Sequence, residues 1–349
     1  MRVLRFCFFI ILSALFCVGS NYAQVPHTSK IDLGQYGFTK TKCLWRSSDV
    51  EFLDNDHIAL IAPSISKCEK SLWDSPTDTT ITVIDRQGRT LSSTKRSDVI
   101  KTSAGPLGTI SVCLGDRIEL LSSSLEVLAS IPLSGKKTIS RCSFYGALNP
   151  SRNVIAISST GHFDLYRLSP SANTVVEVPK GYNVRAVADD GLLLCKQLRC
   201  EVLGSSGVVR SFPPLSEPAF QNDIAGLITK DKLLVADRSG KSLYTLTPTG
   251  DKTTMADLTK IRPPFIDTSD VQLSAMEPRR VLYSVEGCLL GDFDDCYGEV
   301  FHRFAVFDST DGRLVFRHSY AVGAVLKISP DGHMVIEQDG MQLHLYDLP

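Results

Sequence analysis

The chain has 349 residues, 43% of them hydrophobic and 21% charged, with a formal net charge of −1. That length accommodates one large all-β domain or two average domains, and the composition is that of a globular protein. Lys and Arg are spread along the whole length rather than gathered into a patch or stripe, which argues against nucleic acid as a partner and gives no reason to expect adhesion to an anionic membrane.

In chain order, the first feature is an N-terminal stretch in which Arg2 and Arg5 precede an apolar run from Phe6 to Val18, followed by small and polar residues to Ala23. This is the layout of a secretory signal peptide. Residues 1–23 are therefore expected to be removed, with Ser20 an alternative cleavage point, and residues 24–349 to form a single exported domain, periplasmic or extracellular. The apolar run is short for a bilayer-spanning helix, so no integral membrane segment is expected after cleavage. Bulky Phe16 in front of Cys17 disfavours a lipoprotein site. Of ten cysteines, Cys7 and Cys17 leave with the leader. The rest are Cys43, Cys68, Cys113, Cys142, Cys195, Cys200, Cys288 and Cys296, an even set that suggests disulfides in an exported protein. None forms a CxxC pair or has a His at ligand spacing, which argues against structural zinc.

Beyond residue 40 there is no amphipathic helical pattern. Short runs rich in Val, Ile, Leu, Phe and Tyr are broken every eight to twelve residues by Gly, Asp, Asn, Ser or Pro, the pattern of an all-β fold. Two stretches align without a gap: "LNPSRNVIAISSTGHFDLYRL" (Leu148 to Leu168) and "ISPDGHMVIEQDGMQLHLYDL" (Ile328 to Leu348). Weaker copies, such as "FLDNDHIALIA", "VADDGLLLCKQ" and "ITKDKLLVADRSGKSLYTL", give units starting near Asp49, Ser97, Ser140, Tyr182, Asp223, Asp270 and Val322. A spacing of roughly 40 to 50 residues is the period of four-stranded blades set around a channel. With strands lettered A to D from the channel outward, the last unit has only A, B and C before the chain stops. Its D strand is expected from Lys30 to Phe38, which would close the ring and cover an open sheet edge. The expected fold is thus an all-β, seven-bladed β-propeller closed by an N-terminal strand, with six or eight blades as alternatives.

The turn Ser329-Pro330-Asp331-Gly332 resembles the "SPDG" turn of propellers of the WD-repeat, YVTN and TolB-like kind, and as a pattern the resemblance covers nearly the whole mature chain. It implies an interaction scaffold more often than an enzyme.

In such a ring the A–B and C–D turns lie on one face, and the B–C turns and D–A connections on the other. The long segments fall on the second face: Pro63 to Asp78 and Glu286 to Glu299 as B–C loops of units 1 and 6, and Phe212 to Asp223 and Lys260 to Asp270 as D–A connections. Loops on a rigid scaffold are where binding usually resides. The expected disulfides are Cys195–Cys200 across the B–C turn of unit 4, Cys288–Cys296 and Cys43–Cys68 clamping the two long loops, and Cys113–Cys142 between units 2 and 3.

Candidate binding residues come from those loops. Trp73, Phe293 and Tyr297 are aromatic anchors for a protein, small ligand or glycan, or else caps on the core. Asp292, Asp294, Asp295 and Glu299 form an acidic run that could hold calcium, although it lacks the order of an EF-hand and an acidic loop can simply be solvated. No cofactor is otherwise expected. No GxSxG, HExxH or phosphate-binding Gly loop occurs, so no catalytic residues are assigned. His302 and His318 are expected as half-buried strand residues, and Asp223 and Asp270 as channel-side carboxylates available to a lyase or hydrolase on glycans or peptides. The leading expectation is an exported binding or scaffold module with its site on the B–C/D–A face; an enzyme and a structural role in the envelope are the alternatives.

Overall fold

The computed structural model describes residues 28–38, 49–64, 77–133, 154–159, 162–168, 171–215, 222–237, 241–261, 265–277, 279–288, 300–321 and 323–349. These form antiparallel sheets, each a run of strands adjacent in sequence and joined mostly by tight turns. Short connections permit only antiparallel pairing, which is why the alternating runs fold locally into hairpins. Six sheets have four strands, and residues 154–177 form a three-stranded sheet. Six complete four-stranded units are thus present among the described residues, where the repeat led to an expectation of seven. The difference falls on unit 3. Its described strands, Val154–Ser159, His162–Leu168 and Ser171–Glu177, correspond to B, C and D, and the stretch expected to supply A lies outside the described residues.

The sheets follow one another around a ring. Strands A of units 1 and 2, 4 and 5, 5 and 6, 6 and 7, and finally 7 and 1 lie side by side, and strand A of unit 4 (Asn183–Ala188) meets the first described strand of unit 3. Each apolar cluster is shared by two successive sheets. Leu53, Ile81 and Val83 pack against Ile110 and Val112 between units 1 and 2. Val154 and Phe163 pack against Leu192 and Leu194 between units 3 and 4. Phe304 and Phe316 pack against Ile328 and Tyr346 between units 6 and 7. Inner strands are therefore covered on both faces, as in Thr109–Cys113, whose residues are all buried. Outer strands such as Val127–Pro132 are mostly exposed. Continuous apolar runs suit the first environment and alternation the second.

The ring closes on the N-terminal segment. Thr28–Asp32 pairs antiparallel with strand C of unit 7 (Gln342–Asp347), with Thr28 opposite Tyr346 and Asp32 opposite Gln342. The expected strand ran from Lys30 to Phe38. It begins earlier and ends at Asp32, because the next residues, Leu33–Tyr36, form a 3₁₀ turn. The Asp32 carboxylate accepts from the Gly34 N–H at 3.0 Å, and Gly37 leaves the turn at φ +85°. A short polar side chain bonding its own backbone two residues on competes with the sheet ladder. Leu33, Tyr36 and Phe38 are then buried with Val50, Phe52 and Ile58 of unit 1. The Tyr36 hydroxyl donates to the Gly88 carbonyl, which lies in the C–D turn of unit 1.

The SPDG turn joins strand A of unit 7 (Val325–Ile328) to strand B (Met334–Asp339). Ser329 Oγ donates to Asp331 Oδ1 at 2.6 Å and accepts from the Met334 N–H at 2.9 Å, while Asp331 Oδ1 also accepts from the His333 N–H at 3.0 Å. The turn reaches both neighbours: the Asp331 N–H donates to Asn55 of unit 1 at 3.1 Å, and the Pro330 carbonyl accepts from Met276 of unit 6 at 2.8 Å.

The Cys195–Cys200 disulfide is present and lies on directly opposed residues of the unit 4 hairpin. Cys113 is disulfide-bonded as well; its expected partner, Cys142, lies outside the described residues. The expected bridges Cys43–Cys68 and Cys288–Cys296 fall on residues whose side chains are not described. Among the described residues no helix is long and apolar enough to cross a membrane.

Candidate functional site

Unit 6 carries strands Phe265–Leu273, Arg280–Cys288, Val300–Asp308 and Leu314–Ser319. Strand A starts at Phe265, inside the stretch expected to be a D–A connection. Two-residue periodicity gives the sheet two faces. One presents Val271, Tyr283, Val285 and Ala305 to unit 5. The other faces unit 7 and changes character along its length. On strand B it runs from Leu282, buried in the core between units 6 and 7, through Ser284 to Glu286. On strand C it runs from Val306 and Phe304 to His302. On strand D it runs from Phe316 through His318, and Tyr320 follows just past the strand end. The apolar seam between the two sheets thus becomes polar toward the end where the D–A connection and the B–C loop lie.

At that polar end is a cavity of about 360 Å³. Ser269, Asp270 and Gln272 line it from strand A of unit 6, and Ser284, Val285 and Glu286 from strand B. Tyr320 and Ala324 close it from the D–A connection, and Val325, Leu326 and Lys327 from strand A of unit 7. The register explains the grouping: Asp270 is opposite Ser284 and Thr268 opposite Glu286, beside an irregularity between Ile266 and Thr268.

The polar groups are held in place by their neighbours. Tyr320 Oη donates to Glu286 Oε1 at 3.2 Å. His302 Nδ1 lies 3.4 Å from the same oxygen, and its ring meets Tyr320 edge-on at 5.7 Å. Gln272 Nε2 donates to Asp270 Oδ2 at 3.0 Å and to the Leu326 carbonyl at 2.9 Å, linking the two sheets. Lys327 Nζ donates to Glu51 Oε1 of unit 1 at 2.7 Å. Behind the D–A connection, Glu337 accepts from the Ala321 N–H at 2.9 Å and the Tyr346 hydroxyl at 2.6 Å. Burial, reinforced by the Glu286 charge and hydrogen bond, pushes the Tyr320 phenol well above its ordinary value. Burial and the bond to Glu337 push the Tyr346 phenol up in the same way. Both phenols therefore remain neutral O–H donors.

Of the residues singled out in the sequence, Asp270 lines the cavity. Asp223 lies on strand A of unit 5, with its side chain outside the described set. Trp73, Asp292, Phe293, Asp294, Asp295, Tyr297 and Glu299 all lie outside the described residues, and with them the calcium expectation. Among the described residues no group of three or more His, Cys, Asp or Glu could hold a metal ion. His302 departs from expectation. It is not half-exposed but 7% exposed, because it sits on the face of strand C that unit 7 covers. The sequence reading also missed Glu286 as a strand residue, having taken it as the start of a loop, and missed Tyr320 and Lys327. The signal was the alternation Leu282-Ser284-Glu286 beside His302-Phe304-Val306, in which an apolar face turns polar at matching ends of adjacent strands.

No family model matches the chain, and no curated protein matches it. Solved structures do. A chain of a mitotic checkpoint complex superimposes with a TM-score of 0.53 at 11% identity, covering 95% of this chain and 94% of that one. The Neurospora crassa Pan2 WD40 domain gives 0.52 at 8% identity, over 93% and 97%. Virginiamycin B lyase from Staphylococcus aureus gives 0.53 at 11% identity, over 93% and 99%. At these identities the likeness is one of fold.

Proposed function

Taking the chain as a β-propeller, we propose that it is an exported binding module whose ligand site is the cavity between units 6 and 7, on the B–C/D–A face. The carrying observation is the polar turn of an otherwise apolar seam. Hydroxyls, an amide and carboxylates of the unit 6 sheet and the connection after it, with Lys327 of unit 7, converge on a hollow whose volume is at the low end for a small-molecule site. The size suits a small polar ligand, or one side chain of a protein or glycan partner. In this reading the ring has seven members. Support comes from the apolar clusters shared by successive sheets, seven in all among the described residues. Export is read from the N-terminal stretch alone.

The test is a thermal-shift screen of small polar compounds against the protein and its Ala324→Trp variant. Ala324 is partly exposed on the rim, so a larger side chain there fills the cavity without entering the core. Saturable ligands of the unaltered protein should be lost in the variant; ligands retained in full would place the site elsewhere.

A second reading is enzymatic. Glu286, His302 and Tyr320 group a carboxylate, an imidazole and a phenol beside the cavity, as acid–base chemistry on a glycan or peptide would need. One of the matched propellers is named as a lyase. Turnover of any such substrate that disappears in Glu286→Gln would favour this reading over binding alone.

A further inference from the structure

The charge lining the cavity has a definite sign. Two carboxylates, Asp270 and Glu286, belong to the wall, and Lys327 is its lone Lys or Arg among the described residues. The Lys327 ammonium is already shared with Glu51 at 2.7 Å. Counting Glu51, the site has three carboxylates to one ammonium, and Glu337 stands behind the D–A connection. The remaining wall groups are neutral: Ser269, Ser284, the Gln272 amide and the Tyr320 phenol, whose proton points at Glu286. An anion entering here would meet two carboxylates and an ammonium held by another acid. A cation would meet acceptors.

We propose, resting on the cavity being the ligand site, that its occupant is a small organic cation: a primary ammonium or guanidinium group on a short alkyl stem. The head group would lie between Asp270 and Glu286. The stem would lie along Ala324, Val325 and Leu326, which give the wall its apolar part on the unit 7 side. The volume, on the order of ten water molecules' share of liquid, admits such a group and excludes a folded partner's surface. A basic side chain or the amino terminus of a peptide meets the same description, as does a free diamine. His302 is set behind Glu286 rather than in the wall, 3.4 Å from its carboxylate.

The test uses three molecules of equal chain length and different charge, 1,5-diaminopentane, 1,5-pentanediol and glutarate, titrated calorimetrically into the protein at low ionic strength. The diamine should bind saturably and at least tenfold more tightly than the other two. Asp270→Asn should weaken it at least tenfold. Because Asp270 is exposed and its neutral isostere keeps the shape, the variant should melt within a few degrees of the unaltered protein. L-argininamide should compete with the diamine. Tighter binding of glutarate or pentanediol, abolished by Ala324→Trp, would overturn the charge class and leave the cavity as the site. Diamine binding that is indifferent to both Asp270→Asn and Ala324→Trp, or no binding by any of these molecules, would overturn the proposal at its premise.

Discussion

At the scale of single residues, the SPDG turn shows why particular side chains recur where they do. Ser329 and Asp331 satisfy the turn's backbone donors, and Gly332 supplies a left-handed φ of +76°. Gly332 has a second constraint: a Cβ there would sit 2.3 Å from Arg280 Cγ and 2.7 Å from its Cβ. Gly340, in the next turn at φ +54°, has nothing within 4 Å. Backbone strain alone costs about 1–3 kcal/mol. Gly332→Ala should therefore lower stability clearly more than Gly340→Ala, as read from urea midpoints; equal losses would mean that the contact with Arg280 relaxes freely. The motif was legible in the sequence because its chemistry is local. Its clasp on Asn55 and Met276 was not, since those residues are brought to it only by the neighbouring sheets.

At the scale of elements, the decisive one is Thr28–Asp32 with the turn that follows. The strand completes the unit 7 sheet, and Leu33, fully buried, fastens the segment to the seam between units 7 and 1. Truncating a buried Leu to Ala costs about 2–5 kcal/mol, a large part of the stability of an ordinary domain. Leu33→Ala should lower the thermal midpoint by several degrees. Deleting residues 28–38, which also removes Ile31, Tyr36 and Phe38 from the core, should abolish cooperative melting; a deletion that melts like the intact chain would refute closure by this segment. The sequence indicated that a strand was owed to unit 7, because three strands leave a bare edge. The end of that strand at Asp32 depended on a cap made by one carboxylate, which a run of alternating residues does not announce.

At the scale of the whole molecule, the ring is held where its ends meet. Lys327 of unit 7 and Glu51 of unit 1, distant in sequence, form a 2.7 Å ion pair whose side chains are 24% and 13% exposed. Removing one partner of a largely buried pair leaves the other charge uncompensated and costs more than removing both. Lys327→Met should thus destabilise by about 1–3 kcal/mol, and Glu51→Gln added to it should restore part of that loss. A double-mutant cycle giving additive effects would show that the pair contributes nothing to closure. On the A–B face the sheets are tied by arginine hydrogen bonds: Arg279 to the Leu227 carbonyl of unit 5 at 3.2 Å, and Arg280 to the carbonyl of Pro349 at 3.1 Å. Burial lowers the Arg279 pKa, with Glu277 acting against that shift.

The amino-acid sequence by itself determined the all-β class, the repeat, the four-strand unit, the need for a closing strand and the Cys195–Cys200 hairpin bridge. Each follows from periodicity or from neighbours within a single turn, where interactions are set by spacing along the chain. Only the tertiary structure decided that Glu286, Tyr320, Asp270 and Lys327 share one cavity, and that His302 is buried behind it. Those residues come from strands of two different sheets and the connection between them, and which face of a strand meets a neighbouring sheet is settled by packing around the ring rather than by any local pattern.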